Sequence, residues 1–307
     1  QLEWLDATVV AVQDIADDVS GPVLGSAPVA TLGGTLSTDC APTDYAATFH
    51  FDQPKQQYLA SIQRCLDYIA AGDSYEVCLT NTARGPALRN LAALGASEHS
   101  SRQSPAAATG SASPELQAYL RLREVSPVPY GAFLRFSRPG AAPLHILSAS
   151  PERFLKVSPA GAVSAKPIKG TRPRGEDSAA DARGRQELQS NPKDRAENLM
   201  IVDLLRNDLG RVCDPGSVEV PKIFSVESFS HVHQLVSTIT GRLRAGLGAV
   251  DAIEASFPGG SMTGAPKIRT MQIIEELEPQ PRGLYSGAIG WISPNSAAEL
   301  NITIRTL

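Results

Sequence analysis

The chain has 307 residues, of which 42% are hydrophobic and 20% charged, and it carries a net charge of −4 at pH 7. That balance is ordinary for a globular chain long enough for one large domain or two smaller ones, and it disfavours nucleic acid or an anionic membrane as a partner. No apolar run is long enough to span a bilayer, and Cys40, Cys65, Cys78 and Cys213 are scattered, as free thiols in a reducing compartment such as the cytoplasm would be.

From about residue 54 to 71, Tyr58, Ile62, Leu66 and Ile69 recur at helical spacing up to Gly72, which predicts an amphipathic helix. Tyr75 to Thr80 reads as a strand. Residues 84–114 collapse into Ala, Ser, Gly and Pro without any period, which predicts a long surface insertion within one domain. Tyr130 to Phe136, His145 to Ser150 and Phe154 to Val157 read as successive strands, and Ser178 to Leu209 as helix broken at Asn191-Pro192. Val236 to Leu243 and Leu284 to Ile292 return to strand character, with helices at Ala249 to Ser256 and Ala265 to Leu277. The second of these should turn Ile268, Met271, Ile274 and Leu277 to one side. Alternation along Leu300, Ile302 and Ile304 is still running when the chain stops, and the chain starts at Gln1, so both ends read as interior to a longer protein. Strand runs and helix runs are partly segregated, which predicts an α+β fold with mainly antiparallel sheets.

Five segments carry possible chemistry. Pro167-Ile168-Lys169-Gly170-Thr171-Arg172-Pro173-Arg174-Gly175 reads as a tight loop around one lysine. An amine held there loses solvent and part of its charge, and so becomes a nucleophile. Ser148-Ala149-Ser150-Pro151-Glu152-Arg153-Phe154 sets a carboxylate at a strand junction, where desolvation makes a proton donor. Asp194 and Glu197 are i,i+3 neighbours on a helix face, a suitable pair for Mg²⁺. Phe257 to Lys267 is a glycine- and hydroxyl-rich helix entry suited to an anion such as a carboxylate. Tyr285 and Arg305 lie in the last strand patterns, where an arginine can grip a carboxylate. Each also has a plain reading: a surface lysine, a turn carboxylate paired with Arg153, acidic residues favoured at a helix start, an ordinary helix entry, a half-exposed strand arginine.

Together, Ser-Pro-Glu-Arg-Phe, Pro-Ile-Lys-Gly-Thr-Arg, Asp203-Leu204-Leu205-Arg206-Asn207-Asp208, Gly-Gly-Ser-Met-Thr-Gly-Ala-Pro-Lys and Ile-Arg-Thr occur in an order that closely resembles the chorismate-utilising enzymes. That family comprises the anthranilate, aminodeoxychorismate, isochorismate and salicylate synthases. The resemblance covers about residues 72–307, and it implies a truncated chorismate-binding catalytic domain over residues 1–307, with large antiparallel sheets packed face to face and helices outside. It implies further that Glu152 is the acid, that Lys169 is a covalent nucleophile, and that Glu197 holds Mg²⁺. Ser261, Tyr285, Arg305, Gly170, Thr171, Thr263 and Gly264 would contact substrate. Lys169 stands where anthranilate synthases resemble one another in carrying alanine, which implies the aminodeoxychorismate branch and ammonia from a glutamine amidotransferase subunit or fused domain. Glu76 stands where the isochorismate and salicylate synthases have a water-activating lysine, which disfavours that branch. Gln234 replaces a histidine common in the family. By the same resemblance, a second metal carboxylate and a Gly-x-Gly cradle lie beyond Leu307. Anthranilate synthase is the nearest enzymatic alternative; a chorismate-binding module without turnover is the alternative of another class.

Overall fold

The computed structural model describes residues 8–9, 50–84 and 113–307. Most of the expected insertion, and Cys40, lie outside them. In chain order the elements are β1 (Thr8–Val9), β2 (His50–Phe51), α1 (Lys55–Ala70), β3 (Glu76–Val77), β4 (Ala83–Arg84), α2 (Pro114–Val125), β5 (Tyr130–Arg138), β6 (Ala141–Ser150), β7 (Arg153–Val157), β8 (Ala162–Lys166) and β9 (Ile168–Pro173). There follow α3 (Ser178–Ser190), α4 (Pro192–Gly210), β10 (Glu219–Ser228), β11 (Val232–Arg242), α5 (Ala249–Ser256), β12 (Gly264–Ala265), α6 (Lys267–Leu277), β13 (Ala288–Ile292) and β14 (Ala298–Ile302).

Every ladder among the described residues is antiparallel, and the expected α+β class is borne out. The large sheet runs β10-β11-β8-β7-β14-β13, with β9 also paired to β11. β5 and β6 form a hairpin whose second strand is bordered on its other edge by the segment after β14: Leu147 N–H donates to the Leu307 carbonyl at 2.8 Å and Ala149 N–H to that of Arg305 at 3.0 Å. One core fills the space between the large sheet and the helices α4 and α5, built from Leu155, Val157 and Val163 with Ile201, Leu205, Leu209, Ile239 and Ala252. A smaller one joins α1 to α6 through Cys65, Ile273 and Leu277. Cys65, Cys78 and Cys213 are free thiols.

The break between α3 and α4 falls where expected, because Asn191 ends one helix and caps the next. Its Oδ1 accepts from the Lys193 and Asp194 N–H groups at 3.0 and 3.1 Å, and Pro192 occupies the first turn.

Several expectations need correction. The lysine segment is a strand rather than a loop. Arg172 pairs with His233, Thr171 with Gln234 and Ile168 with Val236, and the tight geometry survives as a bulge around Gly170, which has φ +88°. Of Tyr75 to Thr80 only Glu76 and Val77 pair as strand, while β13 starts at Ala288 after a turn in which Ser286 has φ +62°. β14 ends at Ile302, and Arg305 adopts the left-handed region at φ +50°, so the alternation does not continue to Leu307. β8 and β10 were not predicted. The apolar stripes of α1 and α6 are real, but packing selects their neighbours. Leu66 is 52% and Ile268 72% exposed, while Cys65 and Ile273 face inward. On α6 a buried hydrogen bond of 2.8 Å between the Ser74 and Thr270 hydroxyls helps set the rotation.

Candidate active site

Glu152 sits in the two-residue link between β6 and β7. That link is pinned to β14, since Ser150 Oγ donates to the Ile302 carbonyl at 2.6 Å and Ile302 N–H to the Glu152 carbonyl at 3.0 Å. The side chain is 5% exposed. Burial pushes its carboxyl up to about 7, against the pull of hydrogen bonds from the Ser261 hydroxyl and the Ile168 N–H and of the Lys169 and Arg305 charges. A carboxyl so placed is part protonated near neutrality, as a general acid must be.

The Ile168 N–H belongs to the first residue of β9, so the acid is tied to the strand that carries Lys169. The lysine Nζ donates to Glu76 Oε1 at 2.7 Å, with both side chains about four-fifths buried at 18% and 20% exposure. Desolvation favours the neutral amine here, yet the charge and hydrogen bond of Glu76, with Cys78 and Glu197 nearby, outweigh it and hold Lys169 above its ordinary value. The expected loss of charge is therefore not met in the resting site: the lysine is an ammonium paired to a carboxylate. Gly170 lets β9 approach α4, for a Cβ there would press on the Asp194 side chain at 2.9 Å. Asp194 is in turn held by Arg172 Nη2 at 2.8 Å, and Arg172 also grips Glu187. This leaves Glu197 as the carboxylate of the pair not taken by an arginine; Lys193 lies 3.9 Å from it. Among the described residues no group of three His, Cys, Asp or Glu is disposed to hold a metal. Glu197, close enough to act on Lys169 electrostatically, fits as a single ligand of Mg²⁺, an ion that commonly takes one or two protein carboxylates and keeps waters.

The opposing wall is the stretch before α6. Gly259 and Gly260 are there for close packing, since a Cβ would meet the Ile302 and Leu204 side chains at 2.6 and 2.5 Å. This closeness brings Ser261, in a single 3₁₀ turn, onto Glu152. The Thr263 carbonyl accepts from Cys78 N–H at 2.9 Å, and Gly264, with φ +130°, lies so close to β3 that any side chain would strike the Glu76 carbonyl. Lys267, in the same motif, is structural: Nζ donates to Asp208 at 2.5 Å and to the Ser256 carbonyl at 2.7 Å. Burial dominates both partners, raising the Asp208 carboxyl and lowering the Lys267 amine.

Glu152, Lys169, Ser261 and Arg305 thus converge, with Glu197 approaching from α4. Arg305 is exposed, and its charge reaches Glu152. Thr171 faces Gln234 across the β9–β11 ladder. Tyr285 belongs to the next compartment, a groove of about 500 Å³ that it lines with Thr263, Phe257 and Arg282. Its link to the lysine runs through Cys78, and burial raises its hydroxyl to about 12. Two residues with positions in this site were missed. Glu76 was noted for the lysine it replaces, not as a partner of Lys169. Arg282 ties Glu278 to the Cys78 and Met262 carbonyls. The spacing of Glu278 and Arg282 hints at that pair; nothing local signals the first, which spans 93 positions.

The chorismate binding enzyme family matches residues 35–307. Aminodeoxychorismate synthase of Streptomyces pristinaespiralis is 49% identical over 85% of this chain and 32% of its own length. Aminodeoxychorismate synthase component 1 of Klebsiella aerogenes is 44% identical over 89% of the chain and 54% of its own. The crystal structure of anthranilate synthase component I from Streptococcus pneumoniae superposes with a TM-score of 0.65 at 33% identity, over 85% of this chain and 51% of that one. The chain therefore spans about a third to a half of these relatives' lengths. With a match covering most of its length, and with the lysine, the acid and the hydroxyl wall gathered in one place, the chain belongs to the chorismate binding enzymes.

Proposed function

We propose that the whole protein is an aminodeoxychorismate synthase, which converts chorismate and ammonia to 4-amino-4-deoxychorismate. The observation that carries this reading is a strand-held lysine beside a buried acid, Glu152, which the Ile168 N–H ties to the same strand. Two curated relatives with that name support it. The lysine amine attacks ring carbon C2, the ring double bonds shift, and the C4 hydroxyl departs as water on the Glu152 proton. Ammonia then adds at C4, the double bonds shift back, and the lysine is expelled. Ser261 orients Glu152 through its hydroxyl, and Arg305 with Ser261 is assigned to the enolpyruvyl carboxylate; Tyr285 would reach it only from the adjoining groove, whose lining it shares with Thr263. Thr171, Gly170, Thr263 and Gly264 shape the walls. Mg²⁺, when bound, would neutralise the ring carboxylate, with Glu197 as a ligand.

This is a transferase-type amination in 4-aminobenzoate and folate biosynthesis or a related pathway, in the cytoplasm, fed by a glutamine amidotransferase subunit or fused domain. The name "component 1" of the Klebsiella relative is in keeping with such a partner. The test incubates the full-length protein with chorismate, Mg²⁺ and ammonium and identifies the product by mass. Aminodeoxychorismate supports the reading; anthranilate, or chorismate binding without turnover, overturns it. Lys169→Ala should abolish a covalent adduct trapped on the wild-type protein before ammonia is added.

A further inference from the structure

The Lys169–Glu76 contact poses a problem for an aminodeoxychorismate synthase. A lysine paired as an ammonium has no lone pair for attack, and the site must take its proton and later restore it. Resting on that assigned reaction, we propose that Glu76 is the proton carrier for Lys169: its carboxylate accepts the lysine's proton before attack on the ring and gives it back when the lysine is expelled.

Three features of the structure support this. Oε1 already accepts the Nζ hydrogen bond at 2.7 Å, the distance at which a proton moves without rearrangement. Oε2 is buried and has no hydrogen-bond partner among the described residues, so no other group competes with Lys169 for the carboxylate. The backbone that presents it cannot retreat: Glu76 pairs with Ala265 and Val77 with Gly264 in the two-residue ladder, and Ser74 Oγ donates to the Glu76 carbonyl at 3.0 Å. The other ionisable groups facing the pair are Glu152 from the β6–β7 link, Cys78 on the same segment as Glu76, and Glu197 from α4. No hydrogen bond joins any of these three to Nζ, whereas Glu76 has one.

The protons balance over the cycle. Lys169 passes one proton to Glu76, and the free amine forms the C2–N bond while the C4–O bond breaks and water leaves with the proton of Glu152. The adduct nitrogen then carries two hydrogens and a positive charge. When ammonia bonds to C4, the C2–N pair returns to the lysine nitrogen, which leaves as a neutral amine. Glu76 returns its proton to that amine, and the new C4 ammonium reprotonates Glu152. Chorismate and ammonia have become aminodeoxychorismate and water.

The test compares full-length wild-type and Glu76→Gln proteins by the pH dependence of kcat/KM for chorismate with ammonia. Proton exchange inside the wild-type pair does not depend on pH, whereas the variant must lose its lysine proton to solvent. The ratio of variant to wild type should be about 10²-fold down at neutral pH and rise with unit slope as pH increases; the Glu152 descent, common to both proteins, cancels in the ratio. Glu76→Asp keeps an acceptor and should give a flat ratio at a reduced rate. A flat ratio for Glu76→Gln overturns the proposal, and so does a unit slope for Glu76→Asp, whether or not the glutamine variant folds. Product identity separates this from the underlying reading: a wild-type protein that makes anthranilate refutes the assignment, whereas one that makes aminodeoxychorismate beside a pH-independent Glu76→Gln ratio refutes only the role of Glu76.

Discussion

Replacing Glu152 by Gln removes one ionisation from a site where burial has raised the carboxyl from its ordinary 4.5 to about 7. That rise is about 2.5 pH units, and at about 1.4 kcal/mol per unit it is worth about 3 kcal/mol. The group is almost wholly buried, so no discount for solvent screening applies. The sign follows from which state holds the proton more tightly. A carboxyl raised on folding contributes stability that is complete below about pH 4.5 and is lost as pH climbs through about 7, because the folded state must then bury an anion. Wild-type stability relative to Glu152→Gln should therefore fall by about 3 kcal/mol across that window, measured by urea unfolding followed by circular dichroism at a series of pH values. The same variant should lose about 10²- to 10⁴-fold in turnover below about pH 7, and the gap should narrow above it as wild-type kcat/KM declines. A stability difference that stays constant with pH refutes the buried, proton-holding carboxyl and with it the acid.

Ser261→Ala removes a hydrogen bond that favours ionised Glu152, so the alkaline limb of the pH–rate profile should move up by about one pH unit; a limb that moves down contradicts the contact. Gly264→Ala forces a Cβ onto the Glu76 carbonyl at a φ of +130°, so it should cost more than about 2 kcal/mol in thermal or urea unfolding and displace the lysine's partner, lowering kcat more than it raises KM. Lys267→Ala leaves Asp208, whose side chain is 3% exposed, with only the half-exposed Arg211 as partner and should destabilise the protein by up to about 3–5 kcal/mol, with part of the loss recovered when Asp208 is also made Leu; no recovery in the double variant would show that the pair is not the cause.

What could be read from sequence divides along the distance between partners. Lys169, Glu152 and Ser261 each have a plain local reading, and they stand out only because their motifs occur together in the order of the family the chain resembles. The helix break at Asn191-Pro192 is equally local, a cap followed by a first-turn proline. β9 was hidden because Pro167, Gly170 and Pro173 read as breakers, while the strand that holds them, β11, lies some sixty positions downstream. The inward faces of α1 and α6 were misread for the same reason, since periodicity locates an apolar stripe but only the packing partner selects which residues it covers. Asp194 reads as a metal ligand until Arg172 is seen to occupy it.

The placement of Lys169 on a paired strand has a further consequence. An amine at the tip of a mobile loop would have to give up backbone as well as side-chain freedom when a ring docks against it, and part of the binding energy would be spent on that ordering. Here the ladder with β11 has already fixed the main chain during folding, so only the four-carbon stem remains to be stilled, and Glu76 stills most of that. In the proposed reaction the attacking group would be a standing part of the scaffold. Under that proposal, discrimination among similar rings would fall to side chains on the facing wall, which can change without disturbing the sheet.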